Sequence, residues 1–254
     1  MNSVKRRCAL LLCLSPAMSF ASLGPPYTTD DPEPVELGHY EAYLASQYLH
    51  GASGVFGTGP HFEFNYGALP NLQLHLIAPL AFSQPNDGSA SNWGFGDTEL
   101  GVKYRFVQES AHRPMVGIFP LVELPTGSAQ RGLGNGEAQV FLPVWVQKTF
   151  GTWSSYGGGG YWCNPGAGNR DYWFFGIQAQ NQVTKQLSLG AELTHSTVST
   201  IGGRNRTGFN LGAVYDFDEG HHLLFSAGHS LAGENQTTAY LALQWTFGPK
   251  EKKG

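Results

Sequence analysis

Three features of this sequence predict an all-β chain that crosses a membrane as a single antiparallel β-barrel. Segments of about ten residues alternate apolar and polar side chains, which is the pattern of a strand with two different faces. The 254 residues include 34 Gly, 16 Phe, 11 Tyr and 6 Trp but only 13% charged residues. Beyond the N-terminus there is no run of about 18 apolar residues that could cross a membrane as a helix. We therefore predict one domain of about twelve strands.

The clearest strand is GDTELGVKYRF, at residues 96–106. One face is mostly apolar and ends in an aromatic pair, and the other carries four charges, a combination that suits lipid on one side and water on the other. The first face contains Thr98, Leu100, Val102, Tyr104 and Phe106. The second face contains Asp97, Glu99, Gly101, Lys103 and Arg105.

Residues 1–21 have the pattern of a secretory signal peptide. Lys5, Arg6 and Arg7 form the charged start, an apolar stretch follows at residues 9–14, and Ser19-Phe20-Ala21 is a small-x-small cleavage site. Cleavage would leave Cys163 as the single cysteine, so no intrachain disulfide is expected.

Residues 22–38 contain four prolines and four acidic residues, which excludes a helix or a central strand. Two interpretations stay open for this Pro-rich, acidic segment. It is either a periplasmic leader or a plug tucked into the mouth of the barrel.

The predicted barrel covers residues 39–247, and a short tail follows at 248–254. Four consecutive glycines, Gly157 to Gly160, fit either a bend that makes room for something packed inside or a flexible loop. The predicted strands lie at residues 39–50, 61–66, 72–82, 96–106, 115–124, 137–148, 153–162, 172–182, 187–194, 208–217, 222–230 and 238–247.

The connections between these strands alternate in length. Those after the second, fourth, sixth, eighth and tenth strands are short, whereas those after the third, fifth, seventh and ninth are longer and rich in Gly, Asn and Ser. Outer-membrane barrels have short periplasmic turns and long extracellular loops. We therefore expect both termini in the periplasm.

The alternation also predicts which side chains line the lumen, and the predicted lining is acidic. Such a field favours cations and neutral solutes over anions, although the same charges could simply pair across strands or be solvated. Inward aromatic side chains could line a path or fill the lumen. The predicted pore-lining residues are Glu41, Tyr43, Glu63, His75, Asp97, Glu99, Lys103, Arg105, Glu123, Glu137, Phe141, Trp145, Glu192, Asp216 and Tyr240.

Four arginines fall in or beside the predicted outer loops: Arg131, Arg170, Arg204 and Arg206. Guanidinium groups bind phosphate in a bidentate manner, so these residues could contact lipopolysaccharide. Ordinary solvation of loop side chains is the alternative.

Other classes of function have little support in the sequence. The composition is not basic enough for nucleic-acid binding, and the nine histidines show no HxxxH or HxH spacing, so no metal or other cofactor is expected. A lipid-modifying hydrolase is an alternative because His195-Ser196 and His229-Ser230 lie at strand ends. However, neighbouring strand residues point to opposite sides, and no GxSxG motif is present.

The chain resembles the MetA-pathway (meta-cleavage phenol-degradation) family of outer-membrane proteins. The resemblance is carried by Tyr27-Thr28-Thr29-Asp30-Asp31-Pro32, by Gly38 and Glu41, by GDTELGVKYRF and by Leu124-Pro125-Thr126-Gly127. It implies an outer-membrane channel that admits small aromatic or hydrophobic solutes and performs no covalent chemistry. A structural or adhesive barrel is the main alternative. Lipid and lipopolysaccharide are the expected surroundings, and the oligomeric state stays open.

Overall fold

The computed structural model describes residues 25–249. The predicted signal peptide, residues 22–24 of the leader and residues 250–254 of the tail lie outside the described residues. The strands are β1 (Tyr40–Gly51), β2 (Gly54–Leu69), β3 (Leu72–Pro85), β4 (Asn92–Phe95), β5 (Thr98–Val107), β6 (Met115–Ile118), β7 (Leu121–Leu124), β8 (Gln139–Phe150), β9 (Trp153–Cys163), β10 (Tyr172–Gln182), β11 (Leu187–Ser196), β12 (Arg206–Asp218), β13 (His221–Gly233) and β14 (Gln236–Phe247).

These fourteen segments form twelve antiparallel strands of one sheet, because two strands are each interrupted once. The segments β4 and β5 both pair with β3 and are separated at Gly96 and Asp97. The segments β6 and β7 both pair with β5 and β8, and Phe119 and Pro120 separate them. Proline has no N–H to donate to a ladder, which explains the second interruption. The predicted count of twelve strands is confirmed.

Pairing of the first and last strands closes the barrel. The register of β1 and β14 runs without a break from Tyr40 opposite Phe247 to Gly51 opposite Gln236. Closure removes the free edges that an open sheet would expose, which is a requirement in lipid. The predicted single transmembrane antiparallel barrel is therefore confirmed.

The outer surface of the barrel is apolar and has aromatic residues near both ends. Leu74, Leu100, Leu142 and Ile177 are among the large apolar side chains that are exposed on it. At one end Tyr40 stacks on Tyr66 and Phe247, with ring centroids 4.6 and 5.3 Å apart. At the other end Trp173 stacks on Phe175 at 6.0 Å. Two aromatic girdles around an apolar band are typical of barrels in a bilayer.

The two ends of the barrel differ in their connections. The turn end, which contains both chain ends of the barrel, has connections at residues 70–71, 108–114, 151–152, 183–186 and 219–220. The loop end has the connections 86–91, 125–138, 164–171 and 197–205, together with tight turns at 52–53 and 234–235. Loops 125–138 and 164–171 are joined where Asn135 Nδ2 donates to the Pro165 carbonyl at 3.0 Å. Within residues 25–249, no helix is long and apolar enough to cross a membrane.

One element prediction needs correction. The second strand begins at Gly54, not near His61, because the glycine-rich residues 54–60 continue the ladder with β1 and β3 across bulges.

The four glycines at 157–160 lie in the predicted seventh strand, which is β9 and pairs along its length with β8 and β10. Of the two interpretations of these glycines, the flexible loop is therefore excluded.

Candidate solute path through the lumen

The leader segment, residues 25–38 in this structure, lies inside the barrel. Its side chains Tyr27, Thr29 and Asp30 are each at most 3% exposed. They contact inward-facing residues of β5, β10, β11 and β12, so the segment crosses the lumen and does not hang below it. Of the two interpretations of this segment, a plug therefore fits its position.

Glu192 of β11 holds the leader segment through its carboxylate. The backbone N–H groups of Thr28 and Thr29 each donate to Glu192 at 2.8 Å, and the Thr29 hydroxyl donates at 2.6 Å. Asn210 Nδ2 of β12 donates to the same carboxylate at 2.5 Å. Four donors compensate for the burial of Glu192, whose exposure is 2%.

A second anchor joins the leader segment to β5. Lys103 Nζ lies 2.9 Å from Asp30 Oδ1 and 3.5 Å from Asp31 Oδ1, and it sits 4.9 Å from the centre of the Phe119 ring. Arg105, on the same face of β5, is 4.0 Å from Glu33. A buried ion pair leaves a costly unpaired charge when one partner is removed, so these contacts fix the position of the segment.

Glycines make room for the leader segment on the inner wall. A Cβ built at Gly176 would overlap Thr29 Oγ1, and one built at Gly212 would lie 2.8 Å from the Tyr27 ring. Further along the segment, a Cβ on Gly117 would lie 3.0 Å from Pro32 Cβ. The wall is therefore shaped to let this backbone lie flat against it.

The leader segment divides the free space of the lumen into two cavities. The turn-end cavity, of about 600 Å³, lies below it and is polar. Its carboxylates outnumber its basic side chains, because Asp30, Asp31, Glu33, Glu36, Glu41 and Glu63 share it with one lysine, Lys103, and with His39 and His75. This part of the lumen matches the predicted acidic lining.

A hydrogen-bonded row of polar side chains forms the wall beside the turn-end cavity. Asn65 Nδ2 donates to Glu63 at 2.9 Å, and the two ring nitrogens of His75 lie 2.6 Å from Asn65 Oδ1 and 2.8 Å from Glu99 Oε1. All four side chains are buried. Glu123 of β7 is the direct cross-strand neighbour of Glu99. The row spans four neighbouring strands and joins their charges in one network.

The loop-end cavity, of about 320 Å³, lies above the leader segment and is lined by six aromatic side chains together with many uncharged polar ones. Pro26, Tyr27 and Thr28 of the leader segment form its floor. Rings from three strands contribute to its sides: Trp162, Tyr172, Phe174 and Tyr240. Its charged lining residues are Arg206 and Glu234. This cavity is therefore chemically unlike the turn-end cavity.

The aromatic wall of β8 to β10 is packed against the glycines of β9. Phe141 stacks on Trp162 with centroids 4.7 Å apart, and Trp162 stacks on Tyr172 at 6.1 Å. A Cβ on Gly160 would lie 2.7 Å from Phe141 Cε2, and one on Gly158 would lie 3.0 Å from Trp145 Cε3. The glycines thus accommodate inward rings that a larger residue would displace.

Most of the predicted pore-lining side chains face the lumen. Several are fully buried by packing or pairing: Tyr43, Glu63, His75, Glu99, Lys103, Glu123, Phe141, Trp145, Glu192 and Tyr240. Glu41, Arg105 and Asp216 are half-buried toward the turn end and are hydrogen-bonded to Tyr43, Asn71 and His222 respectively. The predicted residues therefore line the lumen mainly by filling it, and only some of them reach a cavity.

Two site predictions are corrected by the structure. Glu137 is exposed in the loop before β8, because this strand begins at Gln139 and the wall does not extend to residue 137. Arg206 begins β12 and lines the loop-end cavity, so it does not face lipopolysaccharide.

Asp97 lies at the break between β4 and β5, where it accepts the N–H groups of Gly127 and Asn135 at 2.8 and 2.6 Å. It anchors a loop in this way, and it also lines a small inner cavity of about 40 Å³ with His61, Glu99 and Glu123.

The other three arginines of the predicted lipopolysaccharide contact stay at the surface. Arg170 and Arg204 are exposed in the loops 164–171 and 197–205. Arg131 is also exposed and donates to the Trp93 carbonyl at 2.9 Å. Arg131 therefore helps to hold the loop 125–138 against β4.

Sequence reasoning missed some residues that matter most for the lumen. Phe119 and Leu121 flank Pro120 and point inward, where they join the aromatic cluster. The available signal was the loss of the apolar–polar alternation at Phe119-Pro120, which lies in an uninterrupted run of apolar residues. Tyr27 of the leader segment was also missed, because no local pattern indicates that a Pro-rich segment folds back into a barrel.

The alternative chemistries gain no geometric support. His195 Nδ1 and His229 Nδ1 lie 2.9 Å from Thr207 and Thr237 hydroxyls, and Ser230 Oγ accepts the N–H of Gln236. Within residues 25–249, neither Ser196 nor Ser230 is hydrogen-bonded to a histidine. That part of the chain also has no group of three or more His, Cys, Asp or Glu side chains placed to hold a metal ion.

These features define a bacterial outer-membrane β-barrel of the channel type, with a lipid-facing outer surface and a lumen that is filled across its middle. The chain belongs to the family described as putative MetA-pathway of phenol degradation, whose model matches residues 42–247. The predicted family and the predicted outer-membrane localisation are both confirmed.

Three solved structures share the barrel fold of this chain. An outer membrane channel from Pseudomonas putida F1 is similar over 85% of this chain and 98% of that chain, with 19% identity and a TM-score of 0.70. The KdgM porin in complex with disordered oligogalacturonate covers 82% and 99%, with 10% identity and a TM-score of 0.57. The translocator domain of the autotransporter NalP from Neisseria meningitidis covers 82% and 88%, with 12% identity and a TM-score of 0.58. No curated protein matches the chain.

Proposed function

We propose that this barrel mediates the passive uptake of small aromatic or hydrophobic solutes across the outer membrane. The observation that carries the proposal is the group of aromatic side chains, Trp162, Tyr172, Phe174 and Tyr240 among them, that line the loop-end cavity inside the lumen of the barrel. Aromatic side chains combined with polar groups are typical of pockets for small molecules, and both are present in this cavity. Family membership supports the same class of solute.

The route would lead from the loop-end cavity past the leader segment to the turn-end cavity. In the observed position the leader segment separates the two cavities, since Pro26 contributes to both. We propose that the segment acts as a gate whose displacement joins them. No covalent step is needed, and no lumen residue is given a catalytic role.

The orientation follows from the connections. We propose that the turn end faces the periplasm, because short connections are typical of that side in outer-membrane barrels. The loop end would then face outward, and Arg170 and Arg204 would be available to lipopolysaccharide phosphates.

The test is the initial rate of uptake of labelled phenol by intact cells that do or do not make the protein. We expect a higher rate with the protein, and no change for a hydrophilic solute of similar size such as glycerol. A matched control is the Phe174→Glu variant, which places a charge in the aromatic wall of the loop-end cavity and should lower phenol uptake. Equal uptake with and without folded protein in the outer membrane would contradict the proposal.

A further inference from the structure

The loop-end cavity contains polar groups that have no partner. Trp162 Nε1 and the Tyr240 hydroxyl are buried without a hydrogen bond, and the two side chains are 1% and 8% exposed. Buried polar groups are almost always satisfied, so two such groups in the lining of one cavity indicate that a ligand with polar atoms could bind there.

Arg206 adds a charge to this set. It lies on the inward face of β12, with Gly208 and Asn210, and lines the cavity. Within residues 25–249 it makes no ion pair and no side-chain hydrogen bond. Glu234 and Glu192 attract Arg206 electrostatically, but neither forms a direct ion pair with it. Carboxylate is the anion that a half-buried guanidinium pairs with best, through two parallel hydrogen bonds.

The other acidic groups near the cavity leave this position open. Glu192, beneath the floor, already accepts four hydrogen bonds from the leader segment and Asn210. Glu234 lines the cavity and is half-buried, but it forms no ion pair with Arg206. An incoming carboxylate would therefore have to bind on the side of Arg206 that faces away from Glu234.

We propose that the loop-end cavity binds monocyclic aromatic carboxylates, with the ring against Trp162, Tyr172 and Phe174 and the carboxylate on Arg206. An apolar cavity of about 150 Å³ holds benzene in another protein. The roughly 320 Å³ found here therefore has room for a ring that bears a carboxylate. This inference rests on the proposed uptake of aromatic solutes and names a ligand class for the loop-end cavity. The leader segment separates this cavity from the acidic one, so the field that opposes anions acts on the onward passage of a carboxylate and not on its binding here.

The test measures the binding of benzoate and of its neutral analogue benzyl alcohol to the full mature chain in detergent micelles, by calorimetry and tryptophan fluorescence. We expect Arg206→Gln to weaken benzoate binding roughly 10- to 100-fold, the range for losing a charged hydrogen-bonding partner, and to leave benzyl alcohol binding unchanged. Arg204→Gln is the matched control, since Arg204 is exposed in the adjacent loop and should bind benzoate as the natural protein does.

Arg206→Lys covers the case in which the glutamine variant does not fold. It keeps the charge but loses the bidentate geometry, so it should retain a weakened preference for benzoate over benzyl alcohol. Equal benzoate affinity in the natural protein and in a folded Arg206 variant would overturn the proposal, as would an absence of benzoate binding to the folded natural protein. Uptake of neutral phenol by cells is measured separately, so failure of this site can be distinguished from failure of the uptake function.

Discussion

Across the lumen, the wall of β8 to β10 is filled by stacked rings, whereas the wall of β2 to β5 is filled by hydrogen-bonded charges. On the aromatic side, Phe141 and Trp162 pack on one another above a row of glycines. On the charged side, Glu63, His75 and Lys103 each depend on a partner from another strand or from the leader segment. A buried ring can pack against many different apolar neighbours, because dispersion forces do not depend on one specific partner. A buried charge needs a group of opposite charge or a hydrogen-bonding group beside it.

The contrast between the aromatic wall and the charged wall explains where the leader segment is held and where solutes can bind. Its charged contact is on β5, and its backbone is fixed by Glu192 on the opposite side, so the segment spans the lumen between the two. Above it the aromatic wall remains open to a cavity. Substitutions in the two walls should reveal this contrast.

Lys103→Met should have the largest effect, because it leaves Asp30 buried without a cation. The two side chains are 7% and 2% exposed, and breaking a pair of this kind costs about 3–5 kcal/mol. We expect the leader segment to leave its site. The readouts are a rise in single-channel conductance and cleavage by chymotrypsin after Tyr27, which is 3% exposed while the segment is in place.

The control for this variant is Lys148→Met. Lys148 lies 2.9 Å from Glu109, but both side chains are partly exposed, at 24% and 20%. A surface pair contributes about 0–1 kcal/mol, so the leader segment should stay protected. Full protection in the Lys103 variant would show that the charged wall does not hold the segment.

Leu100→Arg tests the outer surface of the same charged wall. Leu100 is 41% exposed on the lipid side and lies opposite Leu76 and Val122. Arginine at the midplane of a barrel costs about 2–4 kcal/mol. The measurement is the free energy of unfolding in lipid vesicles, by urea titration.

Gln180→Arg is the matched inward change, since Gln180 lines the acidic turn-end cavity. We expect an unfolding free energy close to that of the natural protein. Equal losses in the two variants would contradict the assignment of Leu100 to the lipid face and of Gln180 to the lumen.

Gly160→Ala tests the aromatic wall. A Cβ at this position would lie 2.6 Å from Leu142 O and from Pro143 Cα and 2.7 Å from Phe141 Cε2, so both the β8 backbone and the ring must shift. Overpacking of this type costs about 1–3 kcal/mol. Urea titration gives the free energy of unfolding, and tryptophan fluorescence reports whether Trp162 has moved.

Gly51→Ala is the control glycine, because a Cβ added there would meet no atom closer than 3.6 Å and its φ is ordinary for a strand. Little change in the free energy of unfolding is expected for this variant. If both variants were equally stable, the glycines of β9 would not be required for the stacking of the rings.

Glu109→Gln should have the smallest effect, since it changes only the rim of the turn end. Desolvation raises the pKa of Glu109, but hydrogen bonds from Lys148 and Thr149 outweigh it and hold the pKa below its ordinary value. A lowered pKa gives stability that is present above the pKa of the unfolded chain and is lost as the pH falls through the folded value.

We therefore expect a loss below about 1 kcal/mol for the Glu109 variant at neutral pH, which shrinks as the pH falls into the acid range. Urea titrations at neutral and acidic pH measure it. A difference that grew on acidification would contradict the assigned sign of the pKa shift.

The barrel itself could be predicted from the sequence because its cause is local. Alternation in segments such as residues 96–106 fixes which face meets lipid, and the observed faces of Leu100 and Lys103 follow from it. The alternation also placed Phe141 and Trp145 inside. A period of two needs no knowledge of the distant neighbours of a residue.

The site was less predictable because its contacts are distant in the chain. Thr29 and Glu192 are 163 residues apart, and nothing near either residue identifies the other as its partner. Arg206 and Glu137 were misplaced for a related reason. Each lies at a strand end, where a shift of one or two residues moves a side chain between loop and wall.

The glycines beneath the leader segment have a consequence for genetics. Gly67, Gly117, Gly176, Gly190 and Gly212 lie on five different strands, and a Cβ at each would meet an atom of residues 27–36. In a library of single substitutions, these positions should form a diagonal of intolerant sites around the wall, while neighbouring lipid-facing residues accept other apolar side chains. The path of the leader segment through the lumen could then be mapped from the frequencies of the variants that survive selection.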